Sequence, residues 1–492
     1  MRAFRSTLLW AAAALAFPAL AAAQIAPAEY AARRDSLLAR IDSGVVVAFG
    51  AVEPVTHWPP FEQLPSFEYL TGFHEPDAAL LLVKRGGVRS ARLFLKPRNR
   101  GMERYVGPRT GPDESQARTG IPGRALAGLR GAVDSLAAAG LPLYVVSDVH
   151  TGDNAEEDSL TRGASFVRAL RRDRPGLAVV QGADEMVGHL RARKSPAEAD
   201  LLRRAAEISA AGHRDAMRAM APGCNEGEIQ AVLEGAFRRL GGERPGYGSI
   251  VGSGPNALAL HYDRNDRTMR AGELVVIDAA TALGHYSADV TRTLPVTGRF
   301  TPDQRTVYQL VLDAQAAYVR QIRPGGAEQV ASDSGQAVVA AGLARLGLIE
   351  SPDATFDGTG RCAQGCPQVY LYTWHGFGGH GIGLEVHDPA QYYDDPDQFQ
   401  PGDVFTVEPG IYVDPSILDG LPDTPRNRAM IARIRPVMQR YLNVGVRIED
   451  NYLVTAGSVE LLSKDVPRDP DAVEALMAEP SPPLPGGGQC GS

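Results

Sequence analysis

Cysteine is scarce in this chain: Cys224, Cys362, Cys366 and Cys490 are the only four among 492 residues. With no second pair at matching spacing, a structural zinc site is not indicated. Cys362 and Cys366 flank an Ala-Gln-Gly loop, which leaves a local disulfide and two free thiols equally open. Long basic runs are missing too, and the net charge is -8, which argues against a nucleic-acid partner. After residue 23 no apolar run is long enough to cross a bilayer. The remaining composition, 44% hydrophobic and 22% charged, suits a soluble protein with a sizeable core. At roughly 100–200 residues per domain, the length allows two to four of them.

Residues 1–23 stand apart. Arg2 and Arg5 open them, Leu8 to Leu20 is a short apolar run, and Ala21-Ala22-Ala23 before Gln24 reads as a cleavage site. That three-part pattern predicts a signal peptide, and with it export to the periplasm or the medium. The cleavage region has no cysteine, which argues against a lipid anchor.

Residues 24–188 read as an α/β N-terminal domain. Val45 to Phe49, Ala79 to Val83 and Leu143 to Val146 are short apolar runs bounded by Gly, Pro or charge, as buried strands are. Ala125 to Ala139 is helix-like. No constellation of chemical groups occurs here, so this part reads as scaffold.

Residues 189–465 follow a repeated plan. Ser195-Pro196-Ala197-Glu198 is a capping box opening a helix to about Met220, Pro222-Gly223 breaks it, and Asn225 with Glu228 caps a second helix. Thr301-Pro302-Asp303-Gln304 starts the same order again, with a second helix running towards Leu346. A strand-rich segment follows each pair. The repetition predicts an internally duplicated α+β domain. The tail, residues 466–492, is rich in Pro and Gly and is expected to be partly disordered.

The chemistry gathers in this second part. Asp278 ends Val-Val-Ile-Asp, and Asp289 stands in Ala-Asp-Val-Thr-Arg-Thr. If residues 282–285 form the turn of a hairpin, the two carboxylates face each other, about 4.5–5.5 Å apart at Cβ. Such a pair is destabilised unless a cation lies between them. Glu408 ends an apolar run before Pro409-Gly410, and Glu449 shares a strand face with Arg447. Taken singly, a solvated loop glutamate and a surface ion pair would explain these as well. His380 lies in Gly-Gly-His-Gly-Ile-Gly, where glycines let the backbone approach a ligand closely. Four carboxylates and one imidazole suit two hard or borderline dications. His261, His375 and His387 lie in Gly-rich or turn contexts and could orient a carbonyl or move protons.

Together these residues resemble those of the pita-bread metallopeptidases: aminopeptidase P, prolidase, methionine aminopeptidase and creatinase. The likeness covers nearly all of the mature chain. Ser249 to Gly254, leading to His261-Tyr262, is similar to the family segment bearing a substrate-binding histidine. Phe67 to Ala78 resembles the N-terminal domain of aminopeptidase P and its prolidase relatives. The resemblance implies a dinuclear metal site, Mn²⁺ first with Co²⁺ or Zn²⁺ as alternatives, held by Asp278, Asp289, His380, Glu408 and Glu449. It also implies cleavage of an Xaa-Pro bond in peptides with proline in second position. Glu408 would be the proton acceptor as well as a ligand. His261 and His387 would contact the scissile peptide, with His375, Tyr412 and Arg447 on the proline side. Family members often form homodimers or homotetramers.

Three features depart from the family pattern. His375 to His380 is five steps where four are usual, Asp414 to Tyr441 looks like an insertion beside the site, and the Cys362–Cys366 loop precedes the His segment. Both loops are expected to rebuild the rim. The closest alternative activity is that of a prolidase, restricted to Xaa-Pro dipeptides. A metal-free creatinase-like hydrolase and a non-catalytic binding protein are disfavoured, because all five ligand positions are filled.

Overall fold

The computed structural model describes residues 25–54, 60–146, 161–360, 365–373, 378–388 and 398–481. Residues 1–23, His375, Cys362 and Cys490 therefore lie outside the described residues.

The N-terminal part is built on a mixed six-stranded sheet. Its strands are β1 (Gly44–Phe49), β2 (Ala79–Arg85), β3 (Val88–Leu95), β4 (Gly123–Ala125), β5 (Leu143–Val146) and β6 (Val179–Val180), in the order β4-β3-β2-β1-β5-β6. β1 is apolar throughout because both faces are covered. Val46 and Ala48 join Leu80 and Leu82 in one core, while Val45, Val47 and Phe49 join Ala79 and Leu81 in the other. The three strands expected from sequence are β1, β2 and β5. β3 escaped that reading because its first half is polar and exposed.

The catalytic-type half begins at helix Pro196–Ala219. Its capping box is formed: Glu198 N donates to Ser195 Oγ at 3.2 Å, and Ser195 N donates to Glu198 Oε2 at 2.8 Å. Helix Glu226–Arg239 is capped by Asn225 and Glu228, and helix Pro302–Val319 by Thr301 and Gln304. Helix Glu328–Leu346 completes the second pair.

After the first pair come β7 (Arg244–Pro245), β8 (Ile250–Ser253), β9 (Leu274–Asp278), β10 (Thr281–Leu283), β11 (Tyr286–Ser287) and β12 (Thr291–Pro295). After the second come β13 (Thr355–Phe356), β14 (Cys366–Pro367), β15 (Val404–Val407), β16 (Gly410–Tyr412), β17 (Gly445–Arg447), β18 (Asp450–Val454) and β19 (Val459–Leu461). The duplicated α+β order is thus present. One continuous core, including Ile229, Phe237, Ile277, Tyr308, Leu343, Ile411 and Ile448, underlies both halves, and a bridge between Thr291 and Glu449 joins their strands.

Two sequence expectations need correction. Asp278 pairs with Thr291, not with Asp289, because the hairpin turns on Gly284-His285 alone. Both turn residues have positive φ, 56° and 68°, the pattern of a tight two-residue hairpin. The slip is two residues, an even number, so both aspartates keep the same face. Second, the insertion holds a helix, Pro425–Met438, whose Met430, Ile434 and Met438 are buried in the main core. Its N-terminus is tied to Asp357 by Thr424 and Asn427, beside the β13–β14 hairpin that carries Cys366. The insertion thus packs beside the described end of the Cys362–Cys366 segment, Gly365 and Cys366. The tail includes helix Pro470–Met477, which sends Val473 and Leu476 into the core; residues 482–492 lie outside the described residues. Cys224 and Cys366 are both disulfide-bonded.

Candidate active site

β9 delivers Asp278 at its last residue, and Asp289 follows the β10–β11 hairpin. β15 ends at Val407, so Glu408 stands at the turn into Pro409. Glu449 lies between β17 and β18. His380 runs alongside β15: Thr406 N donates to the His380 carbonyl at 2.9 Å, and His380 N donates to Thr406 Oγ1 at 3.1 Å. A Cβ at Gly379 would sit 1.8 Å from the Thr406 carbonyl oxygen, so only glycine permits this approach.

All five side chains line one cavity of about 570 Å³, with His261, His387 and Arg447. His380 Nε2 is 3.4 Å from Asp289 Oδ2 and 3.4 Å from Glu408 Oε1. Its Nδ1 lies 3.1 Å from the Gly381 carbonyl, which directs Nε2 into the carboxylates. The His387 ring stands edge-on to His380 at 4.3 Å between centroids, and His261 is 6.1 Å from His387. Ile250, Leu260 and Val386 supply an apolar wall.

Several groups that complete the site gave no signal in sequence. Tyr247 Oη is 2.6 Å from Asp278 Oδ1 and 2.6 Å from Asp289 Oδ1. A phenol has one proton, so it can donate to only one of them. Thr291 Oγ1 donates to Glu449 Oε2 at 2.6 Å, and Asp289 N donates to Asn451 Oδ1 at 3.0 Å. Buried Arg292 donates to the Glu449 carbonyl at 2.7 Å and to Asp450 Oδ1 at 2.7 Å. Arg447 is no surface partner of Glu449. It is buried, donates to Asp278 Oδ2 at 2.6 Å and to Tyr412 Oη at 2.9 Å. Tyr412 lies behind Arg447, among the described residues that do not line the cavity. None of residues 414–441 lines it either, so the expected rebuilding of the rim does not come from that segment.

The electrostatics fit a divalent cation. Glu449 Oε1 is buried with no hydrogen-bond partner among the described residues. Burial first, and then the neighbouring carboxylates, raise Asp289, push Glu408 up to about 7 and hold Glu449 well above the usual carboxylate range. For His380 burial works downward but is outweighed by Asp289 and Glu408, which bring it to about 9. Without a cation the cluster must take up protons to relieve its repulsion. Asp289, His380 and Glu449 offer donor atoms within 4.8 Å of one another, as a shared ion requires.

Comparison with known proteins agrees with this geometry. The sequence model of metallopeptidase family M24 matches residues 200–456, and that of the aminopeptidase P N-terminal domain matches residues 30–126. The chain belongs to metallopeptidase family M24. It is 35% identical to an Xaa-Pro aminopeptidase of Haemophilus influenzae over 85% of this chain and 89% of that protein. The Xaa-Pro aminopeptidase of Escherichia coli is 32% identical over 92% and 98%. Among solved structures, proline aminopeptidase P II from Yersinia pestis superposes with a TM-score of 0.76 at 30% identity, covering 92% of this chain and all of that one. Zinc-substituted E. coli aminopeptidase P in complex with product gives 0.75 at 30%, covering 92% and 98%. With both modules in this order, the chain is a metallopeptidase of the aminopeptidase P type.

Proposed function

We propose that this chain is an Xaa-Pro aminopeptidase, hydrolysing the bond between an N-terminal residue and a following proline. Two divalent ions, Mn²⁺ first with Co²⁺ or Zn²⁺ as alternatives, would be held by Asp278, Asp289, His380, Glu408 and Glu449. The observation that carries this reading is the convergence of those five donors, with the unpartnered Glu449 Oε1 among them. When bound, the ions supply Lewis-acid polarisation of the peptide carbonyl and activation of water.

The chain's own groups do the rest. Glu408, with Oε1 3.4 Å from His380 Nε2 in this buried cluster, takes and returns a proton during hydrolysis. His387 and His261, side by side on the wall, donate to the carbonyl oxygen as it gains charge and hold the peptide in register. Arg447, fixed by Asp278 and Tyr412, holds the proline side. The apolar wall excludes bulk water from the reacting bond. We assign residues 1–23 to export, which N-terminal sequencing of the protein recovered outside the cytoplasm would check.

Mass spectrometry of products tests the activity. Metal-stripped protein reloaded with Mn²⁺ meets equal amounts of an Xaa-Pro dipeptide and an Xaa-Pro-Xaa tripeptide. Release of the first residue of the tripeptide supports the proposal. Consumption of the dipeptide alone identifies a prolidase, and cleavage of neither with metal bound rejects both.

A further inference from the structure

A second cluster of donor atoms lies where the N-terminal part meets the catalytic-type half. Glu68 belongs to helix Pro65–Thr71, His74 follows that helix, and His285 is the second residue of the β10–β11 turn. Glu68 is buried, while the two histidines are partly exposed. The imidazoles stack at 3.8 Å between centroids and reach the same carboxylate. His74 Nδ1 is 3.4 Å from Glu68 Oε2, and His285 Nε2 is 3.4 Å from Glu68 Oε1.

Those separations are longer than a charge-assisted hydrogen bond, about 2.7–2.9 Å. They match the edge of a tetrahedral zinc site, about 3.3 Å for ligands roughly 2.0–2.1 Å from the ion. The same 3.4 Å separates His380 from Asp289 and from Glu408 in the candidate active site. All three donor atoms lie within 4.8 Å of one another.

We propose that Glu68, His74 and His285 form a separate binding site for a borderline divalent transition metal, Zn²⁺ in the first instance, which pins the two halves of the chain together. Two imidazoles and one carboxylate are a zinc donor set, and a fourth position is open to water. The site opens to a cavity of about 300 Å³ lined by Tyr30, Arg118 and Leu201 as well. Arg118 is paired with Glu75 at 3.6 Å. Glu243 supports the ligand His285 from behind: its Oε2 accepts from the His285 backbone N at 3.0 Å and lies 3.6 Å from Nδ1. The backbone hydrogen bond to Glu243 fixes the turn that presents His285.

Metal counting tests the site. Full-length mature protein is stripped with chelator, equilibrated with Zn²⁺, gel-filtered and assayed for zinc per chain by plasma mass spectrometry. Wild type should carry one zinc more than His74→Gln and one more than His285→Gln. Only the difference is read, so the result stands whatever number of ions the candidate active site takes. In an Asp289→Asn background, zinc should still raise Tm, and adding His74→Gln should make that rise smaller. His74 lies on a partly exposed loop, so His74→Gln decides the matter if His285→Gln fails to fold by circular dichroism. Equal zinc content in wild type and a folded His74→Gln variant overturns the proposal.

Discussion

Arg447 and Asp278, both buried, meet at 2.6 Å in the wall of the candidate active site. The guanidinium is the carboxylate's counter-charge whether or not a metal is present. Breaking a buried pair leaves an uncompensated charge and costs about 3–5 kcal/mol. Arg447→Met should therefore lower the stability of chelator-treated protein by about 3 kcal/mol, and that of Mn²⁺-loaded protein by less, because a cation takes over part of the compensation. Urea unfolding with and without metal measures both. An equal loss in the two states would contradict a metal contact at Asp278.

Tyr247 spans Asp278 and Asp289 with a single hydroxyl. Partners that orient ligating carboxylates change metal affinity by roughly 10- to 100-fold when removed. Tyr247→Phe is expected to fold normally and to lose metal affinity by about that factor in competition with a chelator. Unchanged affinity would show that the phenol merely fills space.

Metal uptake should release protons. In the metal-free cluster His380 titrates at about 9 and Glu408 at about 7, so at pH 7 the imidazolium proton and a share of the carboxyl protons must leave before a cation binds. Apparent affinity is then expected to rise with pH up to about 9. Calorimetry in buffers of different ionisation enthalpy would count the protons. No net release at pH 7 would show that the metal-free cluster does not hold these protons.

His213 sets an acid limit on the fold. Burial lowers it from 6.5 to about 4, and its Nε2 lies 2.8 Å from the Ala279 carbonyl, next to Asp278. The unfolded chain binds this proton more readily than the folded one. The neutral ring's contribution is therefore whole above pH 6.5 and is lost as pH falls towards 4, by about 3 kcal/mol at about 1.4 kcal/mol per pH unit. His213→Gln should flatten the stability curve in that window, as read by denaturant midpoints from pH 4 to 7. A curve as steep as wild type would assign the acid loss to other groups.

The five expected ligands could be read from sequence because each closes a short, strongly patterned segment, such as Val-Val-Ile-Asp or Thr-Val-Glu-Pro-Gly. Their supports could not. Tyr247 reaches Asp278 across 31 residues, and Asn451 reaches Asp289 across 162, with nothing in the local pattern of either to mark the partner. The hairpin register differs from the four-residue reading because Gly284-His285 suffices for the turn, a signal the glycine carries. β3 stayed hidden for a different reason: strand pairing tolerates a polar, exposed half that periodicity does not reveal. Helix Pro425–Met438 was legible as an insertion in length but not in position, since packing on the core rather than the rim depends on where Asp357 lies in space.

Arg292 uses all five of its N–H groups, on the carbonyls of Thr291, Glu449, Val466 and Pro467 and on Asp450. Four of those acceptors lie more than 150 residues downstream. While the chain is being made, the aspartates emerge long before the groups that fix Glu449 opposite them. A nascent or truncated chain ending before Glu449 lacks one of the five ligand positions and should therefore have no hydrolytic activity. The order of synthesis would keep the peptidase silent until almost all of it exists.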